Sequence, residues 1–332
     1  MGHLLERVGR PWRPPAIRSL SHDHISSIEH IEQLEWLYDR LADRHSQCVL
    51  VQIIRARLLD QSAKDDRAID TGYDERRRSI RRDHLVEHNT RKPWVPYLNR
   101  YCLHSGTDKI VVQTVEQDVL ETLLLEQYAY VHEGALVRPQ AGDVVIDAGS
   151  GYGTASIYFA NLVGRTGHIF ALEQLTSNAA IIGENLILNP RLRERVTIVE
   201  WALSDHSDTC LQDGSGGRAT ALMQLEPWGS PLADARTATI DDLVDEHEIP
   251  RVDFIKIDVE RTTLQVLKGA TRTVRRHRPS LAIVVSPVID SVVSISTYLD
   301  DTIGGFELFL DDLATRRHRA VLFARPRSRV VR

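Results

Sequence analysis

Residues 143–153, Asp-Val-Val-Ile-Asp-Ala-Gly-Ser-Gly-Tyr-Gly, decide the fold. Val144 to Ile146 is an uninterrupted apolar run, the pattern of a parallel strand covered on both faces. Three glycines then turn the chain sharply, and residues 153–163 continue with a helical pattern. A strand, a glycine-rich turn and a helix make the opening unit of an open α/β sheet. Outward from this unit the alternation continues. Strands are predicted at 143–147, 167–172, 195–201, 252–258, 280–285, 306–310 and 319–324. Helices are predicted at about 153–163, 176–188, 240–247, 261–276 and 290–301. The fold class is therefore α/β, a doubly wound Rossmann-like parallel sheet. Only DDLATRRHR separates the last two strands, so they should form an antiparallel hairpin at the sheet edge.

Upstream the texture differs. Residues 1–92 read as a helical N-terminal portion with a charged connector, 93–138 as bridging strands and a short helix, and 139–332 as the main domain. Ile25, Ile28, Ile31, Leu34, Leu37 and Leu41 recur at helical spacing, and a second stripe runs from Val49 through Ile53 and Ile54 to Leu58. A helix pair is too small to bury such stripes alone. They should pack on the main domain or on a second copy, so a homodimer through these helices is one expectation. Residues 61–92 mix both charge signs with little apolar content and read as a solvated, partly helical connector.

Composition narrows the classes. The 332 residues are 42% hydrophobic and 26% charged, ample for a packed core. No run of about 18 uncharged apolar residues exists, so no membrane span is expected. The first residues lack the apolar stretch of a secretory signal. A net charge of −5 removes any whole-protein argument for nucleic-acid binding. Of 41 basic residues only five are Lys, a bias that a GC-rich coding genome produces without selection on chemistry. Cys48, Cys102 and Cys210 are far apart and form no CxxC pair, so neither a disulfide framework nor a structural zinc site is expected, and a reducing cytoplasm fits. His84-Leu-Val-Glu87-His88 matches the inverted zinc-protease pattern, but it lies in the Arg-rich connector with no evident third ligand, and it is set aside.

The residues that carry chemistry gather at strand ends. Gly149 and Gly151 allow a tight turn and close approach of a ligand, and the helix that follows offers its first N–H groups. The spacing is not the dinucleotide GxGxxG. Asp147, two residues before the first glycine, suits a ligand with an ammonium group, such as the methionine end of S-adenosyl-L-methionine. Glu173 ends the second strand 20–25 residues on, where an acid can accept both ribose hydroxyls. Trp201 and Ala202 fall where the chain passes beside an adenine ring, although Trp201 can equally be a core aromatic. Lys256, inside an apolar strand, must find a partner. Asp258 and Glu260 follow at the ligand-binding end of that strand. They suit a general base or a cation contact, or else Asp258 orders the loop while Glu260 caps the next helix.

These stretches carry a family resemblance: LEQYAY (125–130), PQAGDVVIDAGSGYGTASIYFANLVG (139–164), ENLILNP (184–190), WALSD (201–205), VDFIKIDVE (252–260), LQVLKGATRTVRRHRPSLAI (264–283) and VLFA (321–324). Residues from about 115 to 324 resemble the FkbM family of class I S-adenosylmethionine-dependent methyltransferases. The resemblance implies an O-methyltransferase acting on a hydroxyl of a sugar, polysaccharide or polyketide-type product. It implies cofactor contacts at Asp147, Gly149, Gly151, Glu173 and Ala202, with Asp258 beside the reacting centre; Tyr152 and Trp201 join the candidate cofactor contacts. Asp258, then Glu260, are the candidate bases, and Tyr128 and Tyr130 candidate substrate contacts. Where the family continues Gly-Ala-Glu, this chain has Arg261-Thr262-Thr263, and VVSPVIDS (284–291) lacks the family's His or Glu. The missing Glu favours a metal-free site over a bound divalent ion. A catalytically silent cofactor-binding scaffold and a nicotinamide-dependent oxidoreductase are the alternative readings.

Overall fold

The computed structural model describes residues 30–58, 71–88, 98–105, 108–132, 134–207, 236–259, 262–285, 289–312 and 320–327. Ile25, Ile28, Cys210, Glu260 and Arg261 lie outside the described residues. Among the described residues two helices come first, α1 (Ile31–Arg40) and α2 (Arg44–Leu58), then α3 (Thr71–Ser79). A short strand β1 (Leu85–Glu87) pairs antiparallel with β2 (Asn99–Ser105), which forms a hairpin with β3 (Asp108–Thr114). The small ladder of β4 (Tyr130–His132) and β5 (Ala135–Val137) follows.

The main sheet begins with β6 (Val144–Ala148), followed by α4 (Thr154–Leu162), β7 (His168–Leu172), α5 (Thr176–Leu188) and β8 (Val196–Val199). The strand expected at 195–201 stops at Val199. Its continuation, β9 (Trp201–Leu203), pairs instead with β10 (Arg236–Ala238) in a separate two-stranded ladder. Helix α6 (Ile240–Glu246) opens with a reciprocal cap, Thr239 accepting from the Asp242 amide while Asp242 accepts from that of Thr239. After β11 (Phe254–Ile257), the helix expected at 261–276 is two helices, α7 (Thr263–Lys268) and α8 (Thr271–His277). They break at Gly269, which lies against the Ser204 carbonyl too closely for a β-carbon. The described residues end with β12 (Ser280–Val285), α9 (Ile289–Thr297), β13 (Phe306–Asp312) and β14 (Ala320–Pro326).

Strand order in the seven-stranded sheet is β13-β14-β12-β11-β6-β7-β8. The ladders β11–β6, β6–β7 and β7–β8 are parallel, while β14 runs antiparallel to both β12 and β13, the expected edge hairpin. Val145, Ile146, Ile169, Ala171, Phe254 and Ile255 are all fully buried, which is why these strands read as continuous apolar runs.

The chain clusters into two compact units, one of residues 1–73, 130–137 and 281–332, the other of 74–129 and 138–280. This grouping is not the consecutive one expected from composition. The reason lies in the first unit, where α2 packs along β13 and the Ala42 amide donates to the Leu308 carbonyl at 2.8 Å. Leu34, Leu37, Leu50 and Ile54 are buried there, so the described part of the apolar stripes packs within this unit. No helix among the described residues is long and apolar enough to cross a membrane.

Candidate active site

Two glycines shape the turn after β6, each for its own reason. Gly149 has a φ of 80°, and a β-carbon there would stand 2.2 Å from the Asp258 carbonyl oxygen. Glycine is required for the turn to lie against the end of β11. At Gly151, φ 55°, an added β-carbon would meet nothing within 4 Å. That stretch of backbone faces open space. The loop amides are largely used inside the protein: Gly149 and Ser150 donate to the Leu172 carbonyl at 3.1 and 2.9 Å, and Gly151 donates to Glu173 Oε2 at 2.8 Å.

Glu173 therefore ties the glycine loop to the start of α5, because its Oε1 accepts the Leu175 amide at 2.9 Å. Burial pushes its carboxyl above the usual range, while the Leu175 and Gly151 amides and the Asn178 side chain favour the charged form. A carboxylate has about four acceptor positions, so three donors leave room for more. Both features fit a ribose diol that donates to this group beside Gly151.

Asp147 has an ion-pair partner inside the protein. It is fully buried, and Lys256 Nζ lies 2.9 Å from its Oδ1. The two residues are direct neighbours across the β11–β6 ladder. Ser156 also donates to Asp147, and Lys256 donates to the Gly149 carbonyl at 2.6 Å. The charge of Asp147 is thus matched by a lysine inside the protein, and the pair braces the glycine turn from beneath. This answers where Lys256 finds its partner.

Asp258 stands one residue past β11, half-buried, and its Oδ2 accepts the Tyr128 hydroxyl at 2.8 Å. Tyr128 arrives through a tight reversal. The helical turn Val119–Leu124 ends, and Glu126 takes a left-handed φ of 49°. Its carboxylate is anchored by the Tyr158 hydroxyl, whose own pKa burial raises. The Tyr128 ring packs edge-on to Phe159 with Lys256 Nζ 5.2 Å from its centroid. Thr263, where the family has Glu, turns its hydroxyl back onto the Val259 carbonyl at 2.9 Å.

Of the other candidates, Tyr152 offers its carbonyl to Asn185 at 2.8 Å. Trp201 and Ala202 are on β9, with Trp201 half-buried near His247 and Ala202 buried. Tyr130 belongs to the other compact unit, where its hydroxyl donates to Asp43 at 2.7 Å. The HLVEH pattern does not assemble: π-type turns end at His84, a strand follows, and Glu87 pairs with Arg100 at 2.7 Å.

The asparagines of ENLILNP have a structural task that the motif alone does not announce. Asn185 accepts the Gln113 amide at 2.7 Å and donates to its carbonyl at 3.1 Å; Asn189 does the same to Val111 at 3.0 and 2.6 Å. Spaced four apart, in the last turn of α5 and at its C-cap, the two amides act as a strand edge that docks β3. The i, i+4 spacing was the available signal.

Residues 145–308 match the methyltransferase FkbM domain. This segment, just under half of the chain, is similar to FkbM methyltransferase domains. It holds Asp147, the glycine loop, Glu173, Lys256 and Asp258. Hexuronic acid methyltransferase AglP of Haloferax volcanii is 28% identical over 160 residues, 48% of this chain and 58% of that protein. The fold is similar to that of methyltransferase FkbM from Methylobacillus flagellatus KT, with a TM-score of 0.57 at 17% identity over 92% of this chain and 62% of that one. The chain thus spans less than two thirds of either relative. The structural likeness extends beyond the FkbM domain to most of the N-terminal portion.

Proposed function

We propose that the chain is an S-adenosylmethionine-dependent O-methyltransferase whose acceptor is a sugar or uronic-acid oxygen. The observation that carries it is the placement of Asp258. Its carbonyl meets the cofactor-loop glycine, and its carboxylate, held by Tyr128, stands at the ligand-binding end of the sheet. Glu173 and the open backbone at Gly151 would hold the adenosine part, and the Asp147–Lys256 pair keeps that loop in shape. When bound, the cofactor supplies a sulfonium methyl group. The protein's task is then to orient the acceptor, exclude water and remove one proton. Tyr128 donates to Asp258 Oδ2 and orients the carboxylate, and the Asp258 carboxylate is the base we assign to the acceptor proton. The relative that methylates a hexuronic acid supports a sugar-acid acceptor, which presents two kinds of oxygen. An alcohol needs a base at this step, while an ionised carboxylate does not.

Methyl transfer from labelled S-adenosylmethionine to a panel of hexoses, uronic acids and their glycans tests this. Product with a sugar acceptor, lost in Asp258→Asn, supports a hydroxyl. Product that survives Asp258→Asn points to the carboxylate. A chain that binds the cofactor and methylates nothing in the panel contradicts the proposal and favours the scaffold reading.

A further inference from the structure

Within the unit that holds the N-terminal helices, three chemistry-bearing side chains converge from segments far apart in the chain. His45 Nε2 lies 3.0 Å from Asp311 Oδ1, and His132 Nε2 lies 3.3 Å from Asp311 Oδ2. One candidate ligand atom from each lies within 4.8 Å of the other two. The two imidazoles stack nearly parallel, 12° apart with centroids at 3.7 Å, so both rings address the same carboxylate. Zinc bonds to His nitrogen and carboxylate oxygen are about 2.0–2.2 Å, which puts neighbouring ligand atoms about 2.9–3.4 Å apart at angles of 90–110°. The two His–Asp separations, 3.0 Å to Oδ1 and 3.3 Å to Oδ2, fall in that interval, each imidazole meeting its own carboxylate oxygen.

The three side chains are also held in place before any ligand arrives. Asp43 caps α2 by accepting the Ser46 amide at 2.9 Å, which fixes the first turn that carries His45. The Tyr130 hydroxyl donates to Asp43 and meets Ser46 Oγ at 3.0 Å; two residues along β4, His132 is on the same face. Ser46 Oγ in turn accepts the Leu310 amide at 3.0 Å, beside Asp311. Ser46 and Tyr130 are fully buried. One buried network thus positions the residue next to each ligand or on its face, the supporting arrangement that ordered metal sites need. The ligand side chains themselves are 32%, 36% and 23% exposed, so water can complete the coordination.

We infer that His45, His132 and Asp311 form a three-ligand site for a borderline divalent transition ion, with Zn²⁺ the first candidate. Two imidazoles and one carboxylate suit Zn²⁺ and its first-row neighbours and disfavour Mg²⁺ and Ca²⁺, which take oxygen. The site joins α2, β4 and β13. Asp311 is 266 residues from His45 and 179 from His132, so an ion there closes long loops and stabilises the folded unit. Its role is structural, and it is independent of the methyl-transfer assignment.

The test uses the full chain, free of affinity-tag histidines and stripped with a chelator. Calorimetry with Zn²⁺ should show one equivalent. Co²⁺ should give the visible absorption of a low-symmetry nitrogen–oxygen site, which reports the ligand set without any variant. At a Zn²⁺ concentration of about 100 times the Kd, Tm should rise by roughly 5 °C. His132→Gln, or His45→Gln on the more tolerant helix surface if the former misfolds, should weaken Zn²⁺ by about 100-fold or more. His84→Gln should leave it unchanged. Failure to bind Zn²⁺ at millimolar concentration, or binding that follows His84 and ignores His45 and His132, overturns the site and leaves a hydrogen-bonded His–Asp cluster only.

Discussion

The glycine-loop site and the His45–His132–Asp311 cluster differ in how they are built. The first draws Asp147, Gly149, Gly151 and Glu173 from one strand-turn-helix-strand unit, where local spacing fixes geometry. The second draws single residues from a helix, a short strand and an edge strand that meet only after the whole unit has folded. The same physics makes one legible from sequence and the other silent. The HLVEH pattern sharpens the lesson. It has metal-ligand spacing and no metal-ligand geometry, whereas the cluster has geometry and no spacing.

The largest expected effect tests the scaffold under the loop. Lys256→Met leaves Asp147 buried without its cation, which should cost about 3–5 kcal/mol. Urea denaturation should show this, and Lys256→Met with Asp147→Leu should recover a substantial part of it. A single variant as stable as wild type would mean that the pair does not brace the turn.

Next is the reacting end. Asp258→Asn should cut turnover on a hydroxyl acceptor by about 10²–10⁴ while cofactor affinity stays within a few-fold. Tyr128→Phe should retain more, losing about tenfold, because it removes only the hydroxyl that orients the base. If the two variants lose equally, Tyr128 has a direct part in the step.

How far the sequence spoke follows from the same contrast. The parallel strands were readable because Val145 and Ile146 of β6 and Phe254, Ile255 and Ile257 of β11 are buried. Helix 261–276 was misjudged because Gly269 breaks it for a neighbour, the Ser204 carbonyl, that no local pattern announces. The pairing of Asp147 with Lys256, 109 residues on, is silent in the sequence because the two become adjacent only through strand pairing. Nothing in the periodicity of 23–60 says that α2 packs on a strand near the C-terminus. Asp258 is a candidate by its position at a strand end, while its hydrogen bond to Tyr128 depends on a left-handed residue at Glu126 that sequence does not mark.

A smaller effect concerns pH. Burial raises the Glu173 carboxyl above its ordinary range. Ribose hydroxyls donate to the charged form, so cofactor affinity should strengthen as pH rises through that raised pKa and weaken as it falls. Calorimetric affinities between pH 5 and 8 should show this slope in wild type and lose it in Glu173→Gln. A slope shared by both would place the titrating group elsewhere.

The most direct test of the central claim is one titration: S-adenosylmethionine into wild type and into folded Glu173→Ala, with NAD as the competing ligand. The account predicts one-to-one binding of S-adenosylmethionine, weakened more than tenfold by Glu173→Ala. Tenfold is about 1.4 kcal/mol, at or below the 1.5–3 kcal/mol expected for a hydrogen bond to a charged group. Tight binding of NAD with no affinity for S-adenosylmethionine would contradict it.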